Sequence, residues 1–430
     1  MEIVYRVGNH IYNLMNSKLI NLAITFPLKS FRIIGIWLFG GVLLLVFESA
    51  NAQMGERDFY AKELDKVVLR MQGKLAHLAL DSTRIPRSLT SEGCLVGVGS
   101  RDWTSGFFPG TLWYLYGYSG NRALLSAARS WTAFIEKEKY DEHTHDTGFK
   151  VYCSFGNAYR IQGMESDKDV IVQAAKSLMS RFDPNLGCIR SWDFNQEVWQ
   201  YPVIIDNMMN LEMLFAATRI SGDSIYYQVG KKHAETTLKN HFKEDYSSYH
   251  VVDYDTISGM PRLKTTHQGF GESSSWARGQ AWALYGFTMC YRETGDPKFL
   301  ELAQKIAQYI LHHPRLPDDK VPYWDFDDPD IPDTERDASA AAVIASALLE
   351  LSTYSKQEKS KVYWHVADTI LHNLSGSEYR LKDEEAPFFL DHSVGSKPHG
   401  SEVDVPLVYA DYYYVEALIR ANNHIESKLY

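Results

Sequence analysis

Apolar residues recur at steps of three and four along most of the chain, for example in the segment FLELAQKIAQYIL that begins at Phe299. This spacing places the apolar side chains on one face of a helix and predicts amphipathic α-helices. Strand-like stretches, such as HVVDYD from His250, are few, and we expect them to form short hairpins. The pattern therefore predicts a mainly α-helical protein.

A turn followed by a helix repeats along the chain. Gly120, Gly222 and Gly295 are each followed by Asn or Asp, and a small residue comes eight positions after each glycine. Gly permits the positive φ of a helix C-cap, and Asn or Asp caps the next helix. Weaker copies follow Met164 and Tyr354. About six helical hairpins with irregular spacing predict a closed ring of helix pairs and not an open array.

The N-terminal segment has the layout of an export signal. Basic residues precede an apolar run over residues 33–47, and Ala50 and Ala52 frame a small-residue cleavage site. The run is shorter than the roughly 20 residues of a membrane span. We predict a signal peptide over residues 1–52 with a long N-terminal region before the apolar run, and cleavage after Ala52. The protein is then exported to the periplasm and has one domain over residues 53–430. An uncleaved anchor is the alternative.

Composition narrows the class of ligand. The 430 residues carry a net charge of −10, which does not favour binding to nucleic acid because that requires a basic face. Aromatic residues make up 13% of the chain, and their rings either pack in a core or stack on sugar faces. The cysteines have no metal-ligand spacing, so we predict buried thiols, with one disulfide possible. They are Cys94, Cys153, Cys188 and Cys290.

Two acids stand among apolar residues at predicted helix starts, Asp146 in HTHDTGF and Asp206 in VIIDNMMNL. Burial beside apolar surface disfavours a carboxylate and raises its pKa, so such a group can act as a general acid near neutral pH. A helix N-cap is the alternative for each acid, and spacing alone leaves both interpretations open. We predict no metal and no cofactor, with His145 as a packing or orienting residue.

The segment SSSWARGQAW places Trp276, Arg278 and Trp282 at another predicted helix start. Residues 278 and 282 share one helix face. Arg278 can bind a carboxylate through two parallel hydrogen bonds, or it can cap a neighbouring loop beside two core tryptophans. Several helix starts around one mouth also direct N–H groups and positive dipole ends towards it. Together these features suggest an acidic sugar as ligand.

An acidic stretch from Asp325 to Asp333 resembles a calcium loop only superficially. It lacks the glycine and the final glutamate that such a loop requires. We predict a solvated loop broken by proline. Asp337, directly before the apolar segment ASAAAVIASALLEL, is predicted to be a helix N-cap.

The motifs WTSGFFPGTLW, HDTGF, DNMMNL and WARGQAW, in this order, resemble the unsaturated glucuronyl hydrolases of glycoside hydrolase family 88. The resemblance extends from about residue 60 to about residue 420 and implies an all-α fold, an (α/α)6 barrel with short β hairpins at one mouth. It implies release of a 4,5-unsaturated uronic acid from the non-reducing end of glycosaminoglycan disaccharides that lyases produce. The implied reaction protonates C4, adds water at C5 and opens the resulting hemiketal.

The resemblance also implies roles for individual residues. Asp206 matches the general acid and base, and Asp146 matches a second essential acid that contacts ring hydroxyls. We expect Arg278 near the uronate carboxylate and predict that Arg278→Ala weakens turnover far more than folding. The residues that match the substrate site are Trp103, Trp192, His250, Gln268, Trp276, Arg278 and Trp282.

Relatives that act on sulfated chondroitin disaccharides carry a Ser-x-x-Ser-x-Lys motif near the C-terminus. This chain has Ser393, Ser396 and Lys397, with the lysine one position early, so sulfate binding and a plain surface loop are both open. The expected partner is an unsaturated acidic disaccharide. We expect no binding to nucleic acid and no contact with a membrane beyond the signal segment, and the sequence does not determine the oligomeric state. Alternative functions are an unsaturated rhamnogalacturonyl hydrolase acting on pectin fragments and a non-catalytic glycan-binding ring.

Overall fold

The computed structural model of the protein describes residues 58–429, with side chains as far as His424. The predicted signal segment over residues 1–52 lies outside the described residues, so its cleavage and the export of the protein stay predictions. The described residues from Phe59 onwards form one compact unit. None of the helices between residues 58 and 429 has the length and apolar character needed to cross a bilayer.

Helices dominate the described chain and form hairpins. A π-helix, Gly148–Gly156, continues directly into one of the α-helices. The α-helices are α1 (residues 58–75), α2 (Phe107–Ser119), α3 (Arg122–Ala133), α4 (Asn157–Gln162), α5 (Glu165–Met179), α6 (Asn207–Ser221), α7 (Ile225–Asn240), α8 (Ala277–Thr294), α9 (Pro297–His312), α10 (Ala338–Tyr354), α11 (Gln357–Leu374) and α12 (Val408–Leu429).

The even-numbered helices form an inner ring and the odd-numbered helices surround it. Each inner helix packs against the next inner helix along the chain, with the π-helix and α4 acting as one, and α12 packs back against α2. α1 completes the outer layer, since Tyr60 donates a hydrogen bond to Asp368 of α11 and Tyr118 of α2 donates one to the Ala61 carbonyl. The fold is the predicted (α/α)6 barrel.

The predicted turns end the inner helices as expected. Gly120, Gly222 and Gly295 are the C-caps of α2, α6 and α8, with φ of 68°, 76° and 65°. Only glycine adopts this left-handed conformation without steric cost. Asn121 accepts hydrogen bonds from the first amides of α3, and Asp296 accepts one at the start of α9. Local sequence therefore determines where each hairpin turns.

The two layers differ in how their side chains are buried. Inner helix α10 is buried on all sides from Ala338 to Leu349, because it faces both the outer layer and the interior of the ring. Outer helix α9 buries one stripe, which includes Phe299, Leu302 and Ile306, and exposes its opposite face. A helix that is apolar all round belongs in a core, and an amphipathic one belongs at the surface.

Short antiparallel strands occupy the connections from an outer helix to the next inner helix, at the mouth where the inner helices begin. They pair as two-stranded units, except for β5, β6 and β7, which form a three-stranded sheet with β6 at its centre. The predicted HVVDYD strand is therefore a sheet centre and not half of a simple hairpin. The strands are β1 (Ile85–Leu89), β2 (Leu95–Val98), β3 (Phe182–Asp183), β4 (Cys188–Ile189), β5 (Pro202–Ile204), β6 (Val251–Tyr254), β7 (Pro261–Thr265), β8 (Ser393–Ser396) and β9 (Ser401–Val405).

The acidic stretch before α10 departs from its prediction. Asp325 and Asp328 are buried, so the expectation of a solvated loop is wrong for these acids. Asp325 accepts hydrogen bonds from the Ser274 hydroxyl at 2.7 Å and the Phe270 amide at 2.8 Å. These contacts hold the loop against the start of α8. The N-cap prediction for Asp337 is confirmed, since its carboxylate accepts from the first amides of α10.

The cysteine prediction is correct for three of the four thiols. Cys153, Cys188 and Cys290 are buried and free, whereas Cys94 is free and exposed in the β1–β2 turn. The four cysteines form no disulfide.

Candidate active site

A cavity of about 630 Å³ opens at the mouth of the barrel, where the connections to the inner helices meet. Within residues 58–429, no group of three His, Cys, Asp or Glu side chains is placed to hold a metal ion. Of the residues predicted from the sequence, the cavity brings together Trp103, Asp146, Trp192, Asp206, Gln268 and Arg278. The other lining residues are His143, Thr144, His145, Phe149, Ser191, Asp193, Phe194, Ile204 and His267.

Asp206 lies between the end of β5 and the start of α6. The preceding residue, Ile205, donates its amide hydrogen to the His250 carbonyl at 3.0 Å, which fixes this junction to β6. Asp206 occupies the N-cap position, but its side chain accepts no cap hydrogen bond. Its buried Oδ2 has no hydrogen-bond partner among the described residues. The N-cap alternative is therefore wrong for Asp206, and its carboxyl is left for other chemistry.

The surroundings of Asp206 favour its protonated form. Burial raises the pKa of the Asp206 carboxyl to about 7, and the negative charge of Asp146 acts in the same direction. The positive charge of Arg278 and the indole N–H of Trp282 act against this rise. A carboxyl that holds its proton near neutral pH is suited to general acid catalysis.

His250 is held as a neutral imidazole behind Asp206. Burial lowers its pKa well below the ordinary value. Its Nδ1 accepts hydrogen bonds from the amides of His267 and Gln268 at 3.0 and 3.1 Å, so the ring proton resides on Nε2. That nitrogen lies 3.6 Å from Asp206 Oδ2. The orientation of the ring thus directs an N–H group towards the acid.

Asp146 is held by its immediate neighbours, just before the π-helix. The Thr144 hydroxyl donates to Asp146 Oδ2 at 2.7 Å, and His145 Nε2 lies 3.3 Å from Oδ1. The π-helix starts two residues later, with Thr147 as its cap. π-helical turns are rare and often occur at functional sites. Unlike Asp206, Asp146 remains partly exposed to the cavity, with 21% of its side chain accessible.

A single contact couples the elements that carry the two acids. Asn210, one turn after Asp206 in α6, accepts a hydrogen bond from the Phe149 amide at the start of the π-helix, at 2.8 Å. A Cβ at Gly148 would lie 2.6 Å from the Asn210 Cα, so only glycine allows this approach. We did not identify Asn210 or Gly148 from the sequence. The sequence features that could have identified them are their positions within two motifs, Gly148 in HDTGF and Asn210 in DNMMNL.

Three of the predicted substrate residues lie behind the cavity wall and not in it. Trp276, Trp282 and His250 are buried and absent from the lining. The Trp282 ring packs 5.5 Å from that of Phe149, which does line the cavity. These residues can therefore position the wall, but they make no contact with the cavity itself.

Arg278 lines the cavity, but most of its donors are already used. Its Nη1 donates to Asp337 Oδ2 at 3.2 Å and to the Val394 carbonyl, and its Nη2 donates to the Gly395 carbonyl at 2.5 Å. The guanidinium also lies 4.6 Å from the Trp276 ring centroid. These contacts fit the alternative in which Arg278 holds a neighbouring loop. Its Nε has no hydrogen-bond partner within residues 58–429 and its side chain lines the cavity, so a place near the uronate carboxylate stays a prediction.

The β8–β9 hairpin does not offer its lysine to a ligand. Lys397 Nζ lies 2.5 Å from Glu335 and 3.3 Å from Asp328, and it donates to the Thr334 hydroxyl. Ser393 is buried, and neither it nor Ser396 or Lys397 lines the cavity. The structure therefore gives no support to the sulfate hypothesis for these residues.

The outer part of the cavity has an aromatic wall that we identified only in part from the sequence. Phe194 stacks on Trp192 with ring centroids 4.9 Å apart, and His267 lies 5.5 Å from Trp192. Phe194 is half exposed. The sequence feature that could have identified Phe194 is its position two residues after Trp192 in IRSWDFN. No feature of the sequence around His267 indicated a ring contact with that segment.

Comparison with known proteins identifies the family. An unsaturated glucuronyl hydrolase of Formosa agariphila is 49% identical over 378 residues, covering 86% of this chain and 92% of that protein. The crystal structure of an unsaturated glucuronyl hydrolase specific for heparin is 46% identical, with a TM-score of 0.82 and coverage of 86% of this chain and 98% of that one.

A more distant structure contains a ligand. It is a variant of the unsaturated glucuronyl hydrolase from Streptococcus agalactiae complexed with dGlcA-GalNAc6S, which is 29% identical, with a TM-score of 0.72 and coverage of 85% and 91%. The model of the family described as Glycosyl Hydrolase Family 88 matches residues 88–427. With this match and these identities, the chain belongs to glycosyl hydrolase family 88.

Proposed function

We propose that this enzyme is an unsaturated glucuronyl hydrolase. It releases a 4,5-unsaturated uronic acid from the non-reducing end of the glycosaminoglycan disaccharides that lyases produce. The observation that carries the proposal is a buried Asp206 whose pKa is raised to about 7, in a cavity that also contains Asp146 and aromatic walls. The activities of the relatives support the glucuronyl hypothesis over the rhamnogalacturonyl one.

In the proposed reaction, Asp206 gives its proton to C4 of the C4=C5 double bond. The positive charge that develops at C5 is shared with the ring oxygen, and one water adds at C5 and returns a proton to the Asp206 carboxylate. The C5 hemiketal then opens by breaking the bond between C5 and the ring oxygen, which leaves a ketone at C5 and a hemiacetal at C1. The hemiacetal expels the second sugar, so that one water is consumed for each bond cleaved.

The remaining residues take supporting roles in this proposal. Asp146 binds ring hydroxyls, with its carboxylate oriented by Thr144 and His145, which lie within 3.3 Å of its oxygens. Trp103 and Trp192 provide flat apolar surface for the sugar rings. The residues behind or along the wall that keep it in place are His250, Gln268, Trp276, Arg278 and Trp282.

We also propose that the enzyme works outside the cytoplasm, in the periplasm, after removal of residues 1–52. The support is the order of features in that segment: basic residues come first, an apolar run follows, and small residues at the cleavage site come last. Intact mass of the protein recovered from a periplasmic extract tests this. A chain that begins at Gln53 is expected, and a chain that retains its N-terminus in a membrane fraction would contradict it.

A panel of unsaturated disaccharides tests the proposed activity. Chondroitin, hyaluronan, heparin and pectin disaccharides are incubated with the enzyme, and loss of the absorbance of the double bond is followed. We expect turnover of at least one glycosaminoglycan disaccharide and none of the pectin one. Asp206→Asn, which keeps the shape of the side chain but cannot supply the proton, is expected to lower kcat by about 10² to 10⁴. Full activity in this variant would refute the mechanism.

A further inference from the structure

A second cleft adjoins the candidate active-site cavity. It has a volume of about 590 Å³ and shares His143 and Asp193 with that cavity. Arg181, Arg190 and Tyr201 form part of its wall, beside the β3–β4 hairpin. His143 and Asp193 form part of both walls, so the cleft is the space next to the cavity, and a longer chain that enters it would pass these two residues. The proposed chemistry, confined to the terminal ring, sets no limit on chain length at the reducing side.

Arg190 has donors to spare in this cleft. Its Nε donates to the Trp192 carbonyl at 3.0 Å and lies 3.2 Å from Asp193 Oδ1. The guanidinium carbon lies 5.8 Å from the Tyr201 ring centroid. Within residues 58–429, neither Nη atom of Arg190 donates a hydrogen bond to the protein, and a quarter of the side chain (25%) is exposed. Its position is thus fixed from one side while its outer edge faces the cleft.

Arg190 shares its nearest acid, Asp193, with Arg181. Arg181 donates from Nη1 and Nη2 to the two oxygens of Asp193, at 2.8 and 3.1 Å, and this pairing holds the pKa of Asp193 below its usual range despite burial. Asp183 accepts backbone amides of its own turn. Glu142 is exposed, where solvent and salt screen its charge. The contacts of Arg190 within residues 58–429 therefore engage its Nε and leave Nη1 and Nη2 available to a ligand.

Under the proposed function, the substrate is the end of an acidic polymer in which every second sugar is a uronic acid. With the terminal unsaturated uronate beside Asp206, the next carboxylate belongs to the third sugar. We propose that the second cleft is a subsite for the third sugar of an unsaturated tetrasaccharide, and that Arg190 binds its carboxylate through Nη1 and Nη2. A planar guanidinium matches a carboxylate in this two-bonded geometry. The inference rests on the proposed function and extends it to longer chains.

The test compares the unsaturated disaccharide with the unsaturated tetrasaccharide of one unsulfated polymer. The polymer is hyaluronan, chondroitin or heparosan, whichever gives the best disaccharide substrate. Arg190→Ala is expected to lower kcat/KM for the tetrasaccharide about tenfold. The kcat/KM for the disaccharide is expected to stay within about twofold of the wild-type value. Arg190→Lys keeps the charge without the planar fork, and we expect an intermediate value. Arg122→Ala, which removes an exposed cation of α3, is the control. It is expected to leave kcat/KM unchanged for both substrates.

The outcomes distinguish a subsite from a purely structural role of Arg190. If Arg190→Ala lowers kcat/KM for both substrates by the same factor, Arg190 serves only to hold Trp192, and the subsite proposal is wrong. The proposal also fails if the wild-type enzyme cleaves the disaccharide but not the tetrasaccharide. If it cleaves no unsaturated disaccharide at all, the proposed function itself fails.

Discussion

At the scale of single residues, the raised pKa of Asp206 makes the stability of the fold depend on pH. The carboxyl titrates near 3.8 when exposed and near 7 in the fold, so between these values the folded state holds a proton that the unfolded state releases. The free energy of unfolding must therefore fall as pH rises through that window. The stabilising proton is fully present below about pH 4 and lost above about pH 7.

Asp206→Asn isolates this effect, because the amide does not titrate. We expect the wild type to lose stability relative to the variant between pH 4 and pH 8, by at most about 1.4 kcal/mol for each pH unit inside the window. Urea unfolding of both proteins at several pH values measures the difference. Parallel pH dependences would show that the fold does not raise this pKa.

Arg278 leads to a prediction opposite to the one drawn from the sequence. Its guanidinium is buried against Asp337 and the carbonyls of Val394 and Gly395, so Arg278→Ala leaves the buried Asp337 carboxylate without its cation and removes a donor from both carbonyls. We expect the free energy of unfolding to fall by about 3 to 5 kcal/mol, as when one partner of a buried ion pair is removed. Unfolding in urea, run beside kcat/KM on a disaccharide, checks this. A large loss of turnover with unchanged stability would restore the sequence-based expectation.

At the scale of elements, the hydrogen bond between Asn210 and Phe149 determines how closely α6 and the π-helix approach. Asn210→Ala leaves a buried amide unpaired, which is expected to cost about 1 to 3 kcal/mol of stability. If the elements separate, the charge of Asp146 raises the pKa of Asp206 less. We then expect a lower kcat, and an alkaline limb of the kcat profile shifted to lower pH, with KM little changed. A profile that keeps its shape would mean that Asn210 has only a structural role.

The elements also show how far the sequence can predict this protein. Turn chemistry at Gly120, Gly222 and Gly295 and the helical periodicity are local, so the hairpins and their closure into a ring could be predicted. The burial of Asp325 and the pairing of Lys397 with Glu335 depend on contacts between segments far apart in sequence, which no local pattern encodes. The same limit explains why family motifs identified both acids, while the commitment of Arg278 to β8 became visible only in three dimensions.

At the scale of the whole barrel, a network of ion pairs and hydrogen bonds links all six inner helical segments, between their middle turns and their C-terminal turns. Glu212 of α6 lies 2.7 Å from Arg292 of α8, and Glu350 of α10 lies 2.9 Å from Arg292 and 2.7 Å from Arg420 of α12. Glu416 of α12 accepts a hydrogen bond from Tyr114 of α2, and Arg160 of α4 lies 3.6 Å from Glu212. The acids of the candidate site stand before the first turns of these segments, at Asp146 and Asp206. The network and the candidate site thus use different turns of the inner helices.

Glu350→Ala tests this separation, because Glu350 pairs with both Arg292 and Arg420. We expect the free energy of unfolding to fall by about 1 to 3 kcal/mol, since two guanidinium groups lose a shared partner while Arg292 keeps Glu212 and Arg420 keeps Glu416. The folded fraction should keep the wild-type kcat and KM at low temperature. Glu301→Ala, which breaks the exposed pair with Lys305 on α9, is the matched control and should change neither quantity. A fall in kcat at unchanged stability would instead mean that the network transmits its geometry through the inner helices to Asp206, and the network and the candidate site would not be independent.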